Sequence, residues 1–370
     1  MSSATTVTSP GLLSIDLDAV QRNYRLLSRA AAPATCGAVV KADAYGLGLA
    51  QVAPSLRAAG CEHFFVANLA EGRQLGKLLA GAQIFVLAGP EPGEESSLRD
   101  AGLIPVLNSL AQIERWVEAT GRRRLRVAIH IDTGMSRLGM DVREVGELAG
   151  KRGLLDVLEI EYVLTHLACA DEPEHPLNEA QLTRFDRLRA SLPAAKTCVG
   201  NSAAVFSGAR YCGDLARAGI ALYGGNPFLD KPNPMQPVVR LYSPILQVRE
   251  VIEPVTVGYG ATHVAEPPAR LATVGAGYAD GYPRALGNLA HAFLGGVSVP
   301  VVGRVSMDML TVDVSAVPAS QTSPGAMVEL LGDHVPLDEL ANAAGTISYE
   351  ILTRLGSRWI RRYHGDTAGS

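Results

Sequence analysis

A chain of 370 residues, 47% hydrophobic and 19% charged, is long enough for one large core and one smaller one. Its net charge of -4, with basic residues scattered rather than clustered, argues against a nucleic-acid partner, and five cysteines without a CxxC pair suggest neither a disulfide framework nor a metal site. The opening MSSATTVTSP lacks a basic and an apolar targeting region, and no apolar run reaches the ~18 residues of a membrane span, so a cytoplasmic chain with no membrane partner is expected.

In chain order, LLSIDLDAVQRNYRLLSRA (12 to 30) is a strand-then-helix pattern whose leading run is assigned loosely, with the second domain as one place for it. From Cys36 to about Gly224, short apolar runs alternate with amphipathic segments, the βαβα signature of a parallel sheet flanked by helices. The runs are GAVVKA, HFFVAN, QIFVLAG, IPVLN, RVAIHID, EYVLTHLA, KTCVGNS and LARAGIALY. Eight such runs fit a (β/α)8 barrel better than an open doubly wound sheet, and chemistry then belongs at the strands' C-terminal ends. Beyond Pro227, NPFLDKPNPMQP reads as a linker, followed by Val-rich runs punctuated by Gly and Pro, the texture of an all-β domain. The expected division is a barrel over 10–230 and a β-rich domain over 231–370, with the latter as one place for residues 1–9 to pack.

Among the five lysines, Lys41 alone ends an apolar run. Alternation along GAVVKA sends Val39 and Lys41 to one face, the barrel interior, where desolvation makes an amine nucleophilic. Taken alone, Lys41 is equally an ordinary strand-end lysine facing water. His166, ending THLA, reads alone as a core histidine, Arg217 as an ion-paired residue of the barrel mouth, and Ser202 or Gly219 as turn residues.

Context changes the balance. AVVKADAYGLG closely resembles the cofactor-lysine motif of alanine racemases, and IDTGMSRLGM, THLACADE, NSAA, ARAGIALYG, GYGA, GYADGYPR, GRVSMDM and TISYE follow in family order from Ile15 to about Tyr363. The resemblance implies a homodimeric, pyridoxal-phosphate-dependent racemase that interconverts L- and D-alanine and supplies D-alanine for peptidoglycan. It places the cofactor on Lys41. It implies that Asn201, Ser202 and the backbone of Gly219 and Ile220 bind the phosphate, with Tyr45 and Tyr349 adding hydroxyls. It sets Arg217 against the cofactor's pyridine nitrogen, and a guanidinium that cannot give up its proton leaves that ring a weaker electron sink.

Inverting a centre needs a proton removed from one face and delivered to the other. The resemblance assigns these faces to Lys41 and to Tyr259 of the other subunit. A phenol near its usual pKa of ~10 is a poor base, so cationic neighbours are expected to favour the phenolate, with His166 and through it Arg217 supplying that field. Arg137 and the backbone of Met307 are implied at the substrate carboxylate. Asp171, Tyr278, Arg284, Asp308, Ile347 and Tyr349 are implied along the entrance, with Tyr349 leaving room for little more than a methyl side chain. No metal ligand set is implied.

The chain departs from the family pattern at Leu47, where histidine is frequent, at Ser306, where cysteine is frequent, and at His130, where many members carry a carbamylated lysine that fixes the neighbouring arginine. A neutral His130 is expected to orient Arg137 by accepting a hydrogen bond, helped by a bound anion. Serine or broader racemases are the nearest alternative. Basic-amino-acid decarboxylases share the two-domain plan but use a Cys-Asp pair on the β domain, and here no cysteine follows Cys212. A pyridoxal-phosphate carrier would consist of the barrel alone.

Overall fold

The short Val, Ile and Phe runs, each bounded by turn residues, form strands in a computed structural model that describes residues 11–121 and 123–365. The chain divides into two units, one made of residues up to Ala19 together with Pro237–Gly365, the other Val20–Gln236. The first strand, β1 (Leu12–Asp16), belongs to the former, and helix Leu17–Ala31 leads out of it. The expectation for residues 1–9 lies outside the described residues.

All eight runs counted in the sequence become barrel strands: β2 (Thr35–Val39), β3 (His63–Val66), β4 (Gln83–Val86), β5 (Ile104–Leu107), β6 (Leu125–His130), β7 (Leu158–Leu164), β8 (Lys196–Cys198) and β9 (Leu215–Ala218). They pair in parallel in this order, and Thr35 opposite Leu215 closes the barrel. Parallel strands are covered on both faces, so the runs are apolar without alternation. Phe65 and Phe85 fill the interior with ring centroids 4.8 Å apart, each burying a side chain for roughly 1.5–3 kcal/mol.

Strand ends are joined to helices by a repeated device. Asn68 caps Leu69–Leu78 by accepting from Glu71 N–H, Ser109 caps Leu110–Ala119, and Asp141 caps Val142–Gly150. At the first two junctions the side chain three positions past the cap reaches back one residue further than in a capping box: Glu71 accepts from Ala67 N–H at 2.7 Å and Gln112 from Asn108 N–H at 2.7 Å. The mouth of the barrel is thereby tied down junction by junction.

In the other unit β1 lies antiparallel to β10 (Val239–Val251) and parallel to β18 (Ile360–His364). The remaining strands are β11 (Val255–Val257), β12 (His263–Ala265), β13 (Ala269–Val274), β14 (His291–Leu294), β15 (Val297–Pro300), β16 (Leu310–Asp313) and β17 (Met327–Leu331). The sheet runs β15-β14-β17-β10-β1-β18, and past an irregularity between Ile245 and Gln247 the long β10 continues with β13, which pairs β16. β11 and β12 form a separate ribbon over Val251, Val257, Ala265, Leu271 and Val302. Among the described residues no helix is long and apolar enough to cross a membrane.

Candidate active site

Lys41 does not continue its strand. β2 stops at Val39, so alternation does not reach position 41, and Lys41–Tyr45 is instead a left-handed turn. Ala42, Asp43, Ala44 and Tyr45 all have φ between 53° and 58°, a conformation that costs an L-residue about 1–2 kcal/mol. Four non-glycine residues in that region are held by their surroundings. Ala44 N–H donates to Val40 O at 3.0 Å, Gly46 N–H to Ala42 O at 2.8 Å, and Asp43 Oδ1 accepts from Leu49 N–H at 2.7 Å. Leu47, at the position of the frequent histidine, is wholly buried and packs this turn. The Lys41 ammonium is partly buried, and desolvation together with the charge of Arg137 lowers its pKa, while Glu71 opposes the shift.

Arg217, 5% exposed on β9, is held by its own neighbours. Nη1 donates to Cys198 O at 2.8 Å and contacts Cys198 Sγ at 3.1 Å, and Nη2 donates to Thr165 O at 2.8 Å and Val199 O at 3.2 Å. Nη2 also lies 3.0 Å from His166 Nδ1. A guanidinium only donates, so Nδ1 is the acceptor and the His166 proton sits on Nε2. Burial, then the charges of Arg217 and Arg137, hold the His166 pKa well below its usual value. This corrects the expectation of a cationic His166: the imidazole is a neutral relay that offers Nε2–H, and the positive charge resides on Arg217.

Behind this pair is a buried chain that the sequence did not reveal. Gln181, wholly buried, accepts from Ala168 N–H at 2.9 Å and donates to His166 O at 3.0 Å and Thr133 Oγ1 at 3.1 Å. The Thr133 and Thr165 hydroxyls are 2.7 Å apart, which fastens the loop after β6 to the loop after β7.

The ends of β8 and β9 meet at Ser202, whose Oγ accepts from Gly219 N–H at 2.8 Å. Asn201 Oδ1 accepts from Ala203 and Ala204 N–H, each at 3.1 Å, shaping the loop. Ile220 opens the short helix Ile220–Tyr223. Tyr45 stacks on Tyr223 with centroids 4.6 Å apart, and a Cβ at Gly219 would lie 2.6 Å from its hydroxyl. A side chain at 219 would therefore have to displace the Tyr45 hydroxyl. Asp171, further out in the loop after β7, accepts from Leu229 N–H.

At the end of β6, His130 Nδ1 lies 2.8 Å from Asn108 Oδ1. The Asn108 amide nitrogen donates to Leu87 O and Val106 O, which fixes Oδ1 as an acceptor, so His130 carries its proton on Nδ1 and its lone pair on Nε2. Burial, helped by Arg217 and Arg137, pushes the His130 pKa down to about 3. It is the neutral residue expected from the sequence. The Asp132 carboxylate accepts from the N–H groups of Gly134, Met135 and Ser136 at 2.9 Å. That turn fixes the backbone just before Arg137, whose side chain is exposed.

Within the β unit Tyr259 stands 72% exposed on the short helix Tyr259–Ala261 between β11 and β12. Glycines at 258 and 260 take φ of 70° and 74°, and a Cβ on Gly260 would lie 2.5 Å from Arg304 Nη1. Tyr278 N–H donates to Ser306 O at 3.1 Å and Ala279 N–H to Met307 O at 3.0 Å, so the Tyr278 and Met307 segments are locked together. Ser306, at the position of the frequent cysteine, contributes backbone there. Asp308 is paired to Arg358 at 2.8 Å. Arg284 opens a short helix, while Ile347 and Tyr349 lie at the start of Ser348–Thr353, both exposed within this chain.

Glu71, Asn108 and Gln181 are the polar residues that sequence reasoning passed over. Only Glu71 carried a signal, the Asn68-x-x-Glu71 cap pattern at the start of a helix.

The profile described as alanine racemase, N-terminal domain, matches residues 15–227, and that of the C-terminal domain matches 238–363. The chain is 51% identical to an alanine racemase of Rhodospirillum rubrum over 97% of each sequence, and 48% identical to a catabolic alanine racemase of Mesorhizobium japonicum over 96% of this chain and 93% of that one. Among solved structures, the alanine racemase of Bartonella henselae with covalently bound pyridoxal phosphate superposes with a TM-score of 0.92 at 39% identity, covering 96% of this chain and 100% of that one. The biosynthetic alanine racemase of Pseudomonas aeruginosa gives 0.90 at 37%, covering 96% and 99%. With both domain profiles matched in order and relatives aligned over nearly their whole length, the chain belongs to the alanine racemase family.

Proposed function

We propose that this protein interconverts L- and D-alanine with pyridoxal phosphate carried on Lys41. The observation that carries the reading is the Lys41 amine itself, depressed in pKa by burial and Arg137 at the mouth of the barrel. The residues present fit the cofactor. Ser202 and the backbone at Gly219 and Ile220 form a buried cradle in which Ser202 Oγ accepts from Gly219 N–H, leaving its own hydroxyl proton to donate to a phosphate, and a Cβ at 219 would crowd the Tyr45 hydroxyl. Tyr349 adds a second hydroxyl from the β domain in this reading. Arg217 Nε lies outside the five contacts that fix its other nitrogens, and as a donor that cannot be deprotonated it suits a ring nitrogen kept unprotonated. When bound, the cofactor lends its conjugated ring to the electrons released at the substrate Cα.

The chain's own groups handle the proton. Lys41 Nζ, whose pKa is lowered by desolvation and the charge of Arg137, serves one face of Cα, and Tyr259 of the partner subunit serves the other. His166 offers Nε2–H to that phenol while Arg217 holds Nδ1. Arg137 and the backbone N–H of Met307 hold the substrate carboxylate, and Asp171, Tyr278, Arg284, Asp308 and Ile347 frame the way in. The enzyme is thus a homodimer with shared sites, working in the cytoplasm and supplying D-alanine to peptidoglycan. The catabolic name of the Mesorhizobium japonicum relative favours a second role, the use of D-alanine as a nutrient.

Turnover of L-alanine against L-serine, followed by formation of the D-enantiomer, tests the substrate. Alanine preferred by roughly ten-fold or more in kcat/KM is expected, because one added hydroxyl in a tight pocket costs on the order of 1–3 kcal/mol. Equal turnover points to a broader racemase.

A further inference from the structure

We infer that Glu71 is a positioning residue for Lys41, holding the left-handed turn that presents the lysine amine. The inference rests on the proposed role of Lys41 and adds a residue to it.

The parallel ladder between β2 and β3 ends where Val40 N–H donates to Phe65 O at 2.9 Å. Beyond that point the N–H groups of Ala42, directly after Lys41, and of Ala67 find their acceptors on a side chain. One carboxylate takes both: Glu71 Oε1 accepts from Ala42 at 2.8 Å and Oε2 from Ala67 at 2.7 Å. Glu71 thus extends the ladder past its natural end. It can do so because Asn68 Oδ1 holds Glu71 N–H at 3.0 Å and fixes the first turn of the helix that bears it. The backbone bonds from Ala44 and Gly46, and the one from Leu49 to Asp43, run between the turn's own residues and neighbours in sequence, while at its far end Tyr45 packs on Tyr223. The bond to Ala42 joins the residue beside Lys41 to a different strand end. Each of four non-glycine residues there sits at positive φ, so a tether lost at this point releases a strained segment rather than a relaxed one. The charged groups acting on Lys41 are Arg137 and Glu71, and Lys41 and Arg137 in turn act on His166.

The test uses the full-length chain with Glu71→Gln and Glu71→Ala. Gln keeps the shape and one oxygen but loses the charge and the second acceptor. Amide hydrogen exchange across residues 41–49 is measured by peptide mass spectrometry, with a β6 peptide as control, alongside the rate at which cofactor-stripped protein captures added pyridoxal phosphate between pH 6 and 10. Losing a charge-assisted hydrogen bond is expected to speed exchange in 41–49 by about ten-fold while β6 and the thermal midpoint stay in place. The high-pH plateau of capture, where the amine is already neutral, is expected to fall by a similar factor, because the defect is one of aim. Exchange and plateau within about two-fold of wild type in the folded Gln variant overturn the inference, given what such a bond contributes. If Glu71→Ala fails to fold, the Gln variant carries the test. Borohydride labelling of wild type and variants keeps the two claims apart: label found off Lys41 in the wild-type chain defeats the proposed function, whereas label on Lys41 with unchanged exchange in the variants defeats only the role of Glu71.

Discussion

Acid should weaken the barrel through His130, and the size of the effect follows from its surroundings. In the unfolded chain the imidazole titrates near its ordinary pKa of about 6.5, whereas in the folded protein it is pushed down to about 3. A group whose folded pKa is depressed contributes full stability above the unfolded value and loses it as pH falls. The window therefore opens below pH 6.5 and closes near 3. Between pH 7 and pH 5 the linkage relation gives a loss of about 2 kcal/mol from this one residue, reduced toward about 1 by the partial exposure of the ring. The perturbation is His130→Asn, which keeps a donor for Asn108 Oδ1 and removes the titration. Urea unfolding of wild type and variant at both pH values, read from the buried Trp116 of the barrel in a Trp359→Phe background, gives the double difference. The variant should lose about 1–2 kcal/mol less than wild type on acidification, since other titrating groups cancel. Equal losses would refute the argument and show an imidazole that protonates freely in the fold. His166, depressed in the same direction mainly by burial and Arg217, stays in both proteins, so its contribution cancels apart from the small part of its shift that His130 supplies.

Other outcomes follow from the same geometry. An imidazole forms no stable carbamate, so exhaustive removal of bicarbonate should leave turnover unchanged, whereas His130→Lys is expected to acquire such dependence; a bicarbonate requirement in the wild type contradicts the neutral Nδ1–H histidine. Gly219→Ala places a Cβ 2.6 Å from the Tyr45 hydroxyl, so cofactor affinity should drop by about ten-fold or more, with overpacking costing on the order of 1–3 kcal/mol; unchanged affinity by equilibrium dialysis contradicts the cradle. Enantiomers have equal free energy in water, so overall rates cannot separate the two bases. Solvent deuterium can: Tyr259→Phe should lose incorporation from L-alanine far more than from D-alanine, and equal loss favours a single base. Mixed with Lys41→Ala it should regain activity in exchanged dimers.

The fold was legible where apolar runs were continuous: all eight barrel strands fall on counted runs, because a parallel strand covered on both faces leaves no polar residue to interrupt it. Strand ends were less legible. Nothing in Lys-Ala-Asp-Ala-Tyr announces a left-handed turn, since such turns are normally flagged by glycine and here glycine comes only at 46 and 48. Alternation therefore ran past the end of β2 at Val39. The side chains were placed by motif, but their protonation was not. That Arg217 donates to His166, and Asn108 accepts from His130, depends on where neighbouring carbonyls lie, which spacing does not encode. Glu71 was hidden for the same reason, because its partners belong to two strand ends.

The central claim is that Lys41 carries the cofactor. The purified protein should be yellow, and borohydride reduction followed by peptide mapping should find the reduced pyridoxal label on Lys41. Label on Lys77, Lys151, Lys196 or Lys231, or none at all in an active preparation, would contradict it.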